Sequence, residues 1–325
     1  MQLTDFPSLD PVVWCLVDPR AGNKSQCLGV ANALKIPFTK IEIQYGPLAA
    51  LPNVLLGGSF LGLTHESTLL FKKSWPNILI AAGRRTAPIA RSIKKRSGGK
   101  TKIIQIMDPG IIRKHFDMVV IPIHDKPSLM RNQVQVIAAP HCITKEQLQC
   151  SADKWRKTFS ELPRPWVGLF IGGSTRRRKF THVMATELGS MISNAVQANG
   201  GAVLGTTSPR SGDFTSSIID SLTVPNKIYH FSKDADNPYL GILSLADYVV
   251  VTGESVSMCS EACAAEKPVY LYTPTALITE KHKLLHEALI RKGYARRFFG
   301  KLENWSHPQL NTANQIAQEI RKRFF

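Results

Sequence analysis

Short apolar runs alternate along this chain with segments whose apolar positions recur every three or four residues. Residues 12–17, 77–82, 102–107, 118–121 and 134–138 read as strands, and residues 37–43 as a more polar one. Between them, residues 25–34 have helical spacing through Leu28, Ala31 and Leu34, and residues 86–96 form a helix that is basic at its end. Strands separated by helices require right-handed crossovers, which predicts a parallel, doubly wound sheet.

The pattern then restarts. A helix over residues 144–161 runs into Pro163-Arg164-Pro165, the best linker in the chain. Strands follow at residues 166–171, 202–206, 227–231, 248–252 and 268–271, with a long helix at 181–198 and a final amphipathic helix at 309–323. This predicts an α/β protein of two Rossmann-like domains, residues 1–162 and 163–308, plus a C-terminal helix, 309–325, available to pack back on the first. No repeat or low-complexity segment interrupts the pattern.

Composition narrows the setting. A hydrophobic content of 43% and a charged content of 20% suit a globular protein with two cores. Six cysteines are scattered, and Cys259 and Cys263, four apart on a predicted helix, suit neither a CxxC redox pair nor a zinc knuckle, so buried thiols and no metal site are expected. The first residues lack the basic-then-apolar pattern of a signal peptide, and no apolar run approaches the ~18 residues of a membrane span. A cytoplasmic location is expected, with a peripheral association at the inner membrane as an addition to it. The net charge of +17 changes the picture most. Residues 1–162 hold 22 Lys/Arg against 11 Asp/Glu, or +11, leaving 19 against 13, or +6, for the remainder. Basic clusters free of interleaved aromatics, with no RNA- or DNA-binding motif, argue against nucleic acid. Phosphate-bearing ligands and an anionic membrane surface account for the sign.

Candidate chemistry gathers where strands end. Residues 243–272 read as helix, strand, the turn Gly253-Glu254-Ser255, helix and strand, bringing Ser255, Ser257 and backbone N–H groups to the carboxyl edge of a sheet, a place suited to phosphate. Glu261 follows one helical turn after Ser257. Gly172-Gly173-Ser174 leads into Arg176 and Arg177, and Thr206-Thr207-Ser208-Pro209 leads into Arg210; glycines admit a ligand to the backbone, and hydroxyls and guanidiniums meet a diphosphate. In the first half, Asp18 ends one strand, and Arg84 and Arg85 end another, where arginine forks grip phosphate or carboxylate. His124-Asp125 follows a third strand and offers a general base. No glycine run matches the dinucleotide or P-loop fingerprint. The Tyr229-x-x-x-Lys233 spacing found in sugar epimerases falls on a predicted strand and is read as chance.

The 243–272 segment resembles the nucleotide-sugar donor site of GT-B glycosyltransferases. Six segments, DPRAGNKSQCLGVANAL, AAGRRTAPIAR, FDMVVIPIHDKP, FIGGSTRRRKF, TTSPRSG and NPYLGILSLADYVVVTGESVSMCSEACAAEKPVYLY, fall in the order seen in the "elongated mitochondria" fission family. Bacterial members of that family carry the label of nucleoside-diphosphate-sugar epimerases. The second half also resembles, more distantly, the donor domain of the lipid-linked N-acetylglucosamine transferase of peptidoglycan synthesis. The resemblance implies a GT-B-like arrangement with an interdomain cleft. It implies Glu261 on the donor ribose, Ser255 and Ser257 at the diphosphate, and Gly173, Ser174 and Arg210 around it. Pro19, Asn23 and Ile123 depart from the family pattern, which weakens the catalytic assignment of the first loop and leaves Asp18 as its acid/base candidate.

These readings converge on a metal-independent glycosyltransferase with no cofactor, using a nucleotide-diphosphate sugar and a lipid-linked or lipopolysaccharide-type acceptor. Asp18, His124 and Asp125 are its base candidates, and Arg84 and Arg85 its acceptor or phosphate clamp. A non-catalytic membrane-associated morphology factor and a nucleotide-sugar 2-epimerase are the alternatives.

Overall fold

A computed structural model describes residues 11–71, 74–125, 130–232, 234 and 236–325. The elements of the first part are β1 (Val13–Val17), α1 (Ala21–Ala33), β2 (Phe38–Glu42), α2 (Asn53–Leu56), α3 (His65–Leu69), β3 (Ile78–Ala82), α4 (Ala87–Arg96), β4 (Lys102–Ile106), β5 (Met118–Pro122) and β6 (Gln133–Val136). The rest comprises α5 (Lys145–Phe159), β7 (Trp166–Ile171), α6 (His182–Gln197), β8 (Ala202–Thr207), α7 (Phe214–Asp220), β9 (Asn226–Tyr229), α8 (Tyr239–Leu245), β10 (Tyr248–Thr252), α9 (Val256–Ala262), β11 (Val269–Tyr272), α10 (Glu280–Arg291), β12 (Arg296–Arg297) and α11 (Thr312–Phe324). They form two six-stranded parallel sheets, ordered β2-β1-β3-β4-β5-β6 and β12-β11-β10-β7-β8-β9.

The central strands β1, β3, β7 and β10 are buried at every residue, as expected for parallel strands covered on both faces. Alternation sorts β1 between two cores. Val13, Cys15 and Val17 join α1 and α11 on one face, while Trp14 and Leu16 join α4 on the other. The second sheet is likewise sandwiched between two cores. The outer strand β2 leaves three of its five residues exposed, which suits an edge.

The chain divides into two compact units. The first ends at Val136 but also takes residues 140–142 and the C-terminal 312–325; the second comprises 137–139 and 143–311. Helix α5, assigned to the first domain from sequence, therefore lies in the second. Its Trp155 and Phe159 stack at 5.6 Å and both meet Tyr229 edge-on, a set of aromatic contacts invisible to periodicity. Helix α11 buries Ala313, Ile316, Ala317 and Ile320 in the core that also holds Val30 and Leu34 of α1, and Arg321 donates to the Leu34 carbonyl. Among the described residues no helix is long and apolar enough to cross a membrane.

Candidate functional site

In each sheet the first strand of the unit has neighbours reached by crossovers in opposite directions. β1 lies between β2 and β3, and β7 between β8 and β10. A crevice opens beyond the carboxyl ends of strands at such a switch point, and ligands of open α/β sheets bind there. The predicted loops after β1, β3, β7 and β10 fall on these places because each follows a switch-point strand directly, whereas the Arg210 loop follows β8, next to β7, and His124-Asp125 follows β5.

In the second unit three loops interlock. The Gly172 N–H donates to Thr252 Oγ1 at 2.8 Å, and the Gly173 N–H to Glu254 Oε1 at 2.6 Å, joining the loop after β7 to the loop after β10. Ser208 Oγ donates to the Gly172 carbonyl at 2.9 Å, and Ser211 Oγ to the Ile171 carbonyl at 3.0 Å, tying in the loop after β8. The fit requires glycine. A Cβ on Gly172 would lie 1.8 Å from Glu254 Oε1, and one on Gly173 would lie 2.0 Å from the Arg210 carbonyl oxygen. Glu254 is only 2% exposed, and burial raises its pKa even though the Gly173 amide and the Arg210 charge favour its anion.

Around this knot the expected residues occupy distinct positions. Ser255 is the N-cap residue of α9, and its side chain makes no capping bond. Ser257 is partly buried on the first turn. Because α9 has only seven residues, hydroxyls and loop amides count for more here than a helix dipole. Glu261, partly buried, accepts a 2.8 Å hydrogen bond from the Tyr239 hydroxyl. Burial lifts its pKa from 4.5 to about 7, with the Tyr239 bond pulling the other way. Ser174 Oγ accepts from the Phe180 N–H at 3.0 Å, so its side chain closes its own loop. Arg176, Arg177 and Arg210 are exposed, the first two on a turn closed by Thr175 and Arg178.

Two cavities adjoin the knot within this unit. One of about 480 Å³ is lined by Thr207, Ser208, Asp213, His230 and Phe231, among others. Another, of about 280 Å³, includes Thr273, Lys283, His286 and Arg297, and His286 Nε2 stands 2.8 Å from the Gly253 carbonyl oxygen. Tyr229 ends β9, as the strand reading required, and Lys233 lies outside the described residues.

The first unit places Asp18 and Arg85 on the adjacent strand ends of β1 and β3. Asp18, 1% exposed, accepts the Tyr45 hydroxyl at 2.8 Å on one oxygen and the Arg20 N–H at 2.8 Å on the other. Burial, then the Asp18 charge, pushes the Tyr45 phenol far up, so it stays a donor. The Arg85 guanidinium sits 5.4 Å from the Tyr45 ring centroid. Gly83, at φ 90°, admits Asn23, whose Nδ2 would be 2.3 Å from a Cβ there. Arg84 is a different case. Its guanidinium donates to the Leu51 and Ala49 carbonyls and to Asn53 Oδ1, so it braces the segment before α2 rather than facing a ligand. His124 and Asp125 lie on a 3₁₀ turn after β5, not on extended chain, and His124 is buried. Strand β4 separates β5 from β3, which sets that turn about 10 Å along the sheet from the β3 end.

Tyr45 and Tyr239 were not singled out from sequence, and Glu254 entered there only as part of its turn. Glu254 sits 81 residues from the amide it holds, and Tyr45 is 27 residues from Asp18, so no local spacing signals either pair.

Two parallel-sheet units with ligand-type crevices at their switch points define a protein of the GT-B-like, double Rossmann class. Within that class, residues 21–324 match the family described as mitochondrial fission ELM1, and this chain belongs to that family. It is 31% identical over 297 residues to the mitochondrial fission protein ELM1 of Arabidopsis thaliana, covering 82% of this chain and 68% of the plant protein. It is 29% identical to an uncharacterized protein of Rickettsia prowazekii (strain Madrid E), over 95% of this chain and 97% of the relative. The fold is similar to that of the UDP-GlcNAc 2-epimerase of Methanocaldococcus jannaschii, solved in complex with UDP-GlcNAc and UDP, with a TM-score of 0.53 and 12% identity, covering 96% of this chain and 98% of the other.

Proposed function

We propose that the second unit binds a nucleotide-diphosphate sugar at the β7/β10 crevice, and that the protein transfers the sugar to a lipid-linked or lipopolysaccharide-type acceptor. The observation that carries this reading is the interlocking of three strand-end loops at the switch point around two glycines that admit no side chain, with Arg210 and Ser255 on two of these loops and Ser257 and Glu261 on α9, which follows one of them. Ser255, Ser257 and Arg210, joined by Arg176 and Arg177, stabilise the leaving diphosphate, a form of charge stabilisation that is usually the largest catalytic term and here needs neither metal nor cofactor. Glu261 accepts a hydrogen bond from the donor ribose. A neighbour of the same fold, the M. jannaschii epimerase, carries UDP-GlcNAc and UDP, which supports a nucleotide sugar as ligand class. Asp18, or His124 with Asp125, supplies the base for the acceptor hydroxyl, Arg85 holds an acceptor phosphate, and the more basic first unit docks on an anionic membrane surface.

A second reading has its own support. The family is that of a fission protein, and both oxygens of Asp18 are already engaged, so a membrane-associated morphology factor that binds a nucleotide sugar without turning it over is the alternative. The triple variant Asp18→Asn, His124→Gln, Asp125→Asn separates them. The transferase reading expects nucleoside diphosphate release from a donor plus acceptor lipid to fall at least a hundredfold in this variant with donor affinity retained, the range of one general base. Wild-type protein that binds donor yet releases no diphosphate with any acceptor overturns transfer, and acceptor-free interconversion of two sugar nucleotides identifies an epimerase instead.

A further inference from the structure

A cavity of about 390 Å³ in the first unit has no part in the crevice described above. It is lined by Arg91, Lys94 and Lys95 of α4, His115 of the 3₁₀ turn Gly110–His115, and the glycines Gly58 and Gly99. Among the described residues no acidic side chain lines it. Lys94 is matched by Asp117 at 2.6 Å, and Asp117 also faces Lys102 at 3.8 Å. Arg91 donates to the Gly57 carbonyl at 3.0 Å, which fixes its guanidinium without neutralising it. The cations of a last helical turn often serve only the helix dipole, and Lys94 and Lys95 answer to that. Arg91 and His115 do not, since one lies a turn earlier and the other on a separate element. Their concentration around one cavity has an electrostatic cost: burial, then Arg91, Lys114 and Lys94, disfavour the His115 cation.

The rim is apolar. Leu55, 71% exposed, lies on α2 just before Gly57 and Gly58, Leu61 is 61% exposed shortly after them, and Ile111, 80% exposed, lies one turn before His115. Exposed large apolar residues beside a cationic hollow match the layering of a membrane surface, where acyl chains lie beneath phosphate.

We propose that the Arg91–Lys95–His115 cavity receives the phosphate headgroup of an anionic lipid while Leu55, Leu61 and Ile111 enter the outer acyl region. This rests on the membrane-facing role proposed above for the first unit, and it names the site and the partner chemistry. Charge complementarity selects the occupant, because an uncharged ligand leaves the clustered cations uncompensated.

The test is cosedimentation of the full chain with vesicles of phosphatidylcholine alone and of equimolar phosphatidylcholine and phosphatidylglycerol. Wild-type protein is expected to favour the anionic vesicles. Lys95→Ala with His115→Ala, both on exposed side chains that leave the fold intact, lowers that affinity about fivefold, the worth of one cation at a membrane surface, because the disfavoured His115 cation adds little. Leu55→Ser with Ile111→Ser weakens binding by a similar factor. Arg291→Ala with Lys292→Ala, which removes two full charges but on the second unit, leaves it within twofold. If the control pair loses as much as the cavity pair, binding is diffuse and the site is overturned while the membrane reading stands. If wild-type protein ignores vesicle charge, both fall. If soluble glycerol phosphate stabilises wild-type protein through Lys95 and His115 but vesicles do not bind, the cavity serves a free anion and the lipid assignment is overturned.

Discussion

Glu261 carries a conflict between stability and binding. Its carboxyl is held at about 7 by burial, with a single hydrogen bond from Tyr239. The folded state therefore keeps a proton that the unfolded chain has already released above its ordinary 4.5, so stability falls as pH rises from 4.5 through about 7. The displacement corresponds to about 3 kcal/mol. Glu261→Gln, which still accepts from Tyr239, is thus expected to raise the unfolding midpoint of the second unit at pH 8 by several degrees and to leave it unchanged at pH 4. Calorimetric scans at the two pH values check this, and an equal midpoint at pH 8 contradicts the buried-carboxylate account. Sequence placed Glu261 near the crevice because it follows Ser257 at helical spacing. It did not disclose Tyr239 as its partner, 22 residues earlier, or Glu254 as the group that holds the Gly173 amide. Contacts between strand-end loops depend on strand order, and strand order is not written in local spacing.

At the level of elements, the buried strands were the most legible parts, since continuous apolar runs leave little choice. β7 and β10 have the same bounds in sequence and structure. Short elements with weak patterns were not: β12 is two exposed arginines, and α2 and α3 are single turns that bury Leu56 but leave Val54, Leu55 and Leu69 facing outward. Helix α11 is different, because its register of Ala313, Ile316, Ala317 and Ile320 marks one buried face. That face completes the core of the first unit across some 280 residues of intervening chain, Arg321 standing 287 positions after Leu34. Ile316→Ala is expected to destabilise that unit by about 2–5 kcal/mol. Denaturant unfolding followed by fluorescence, in a background where Trp155, Trp166 and Trp305 of the second unit are replaced by Phe, reads the first unit through Trp14 and Trp75. A midpoint unchanged within error would mean that α11 contributes no packing there.

At the scale of the whole molecule, the family and the double Rossmann architecture were both legible in the sequence, because strand-end motifs recur in fixed order over most of the chain. Their chemical meaning is unevenly distributed. The second unit presents three strand-end loops tied to one another at Gly172, Gly173, Ser208 and Ser211. The first presents Asp18 with its oxygens engaged, Arg84 bracing a loop, and His124–Asp125 displaced along the sheet. Donor binding is therefore the central claim, and catalysis depends on it. Its most direct test is the shift of the unfolding midpoint on adding nucleoside diphosphates and nucleotide sugars to wild-type and Arg210→Ala protein. A donor at a hundredfold excess over its Kd adds about 2.7 kcal/mol of stability to the unit that binds it. The account predicts that at least one nucleoside diphosphate and its sugar raise the midpoint of the wild-type second unit, and that Arg210→Ala abolishes most of the rise. No shift with any of them, or an undiminished shift in the variant, would contradict it.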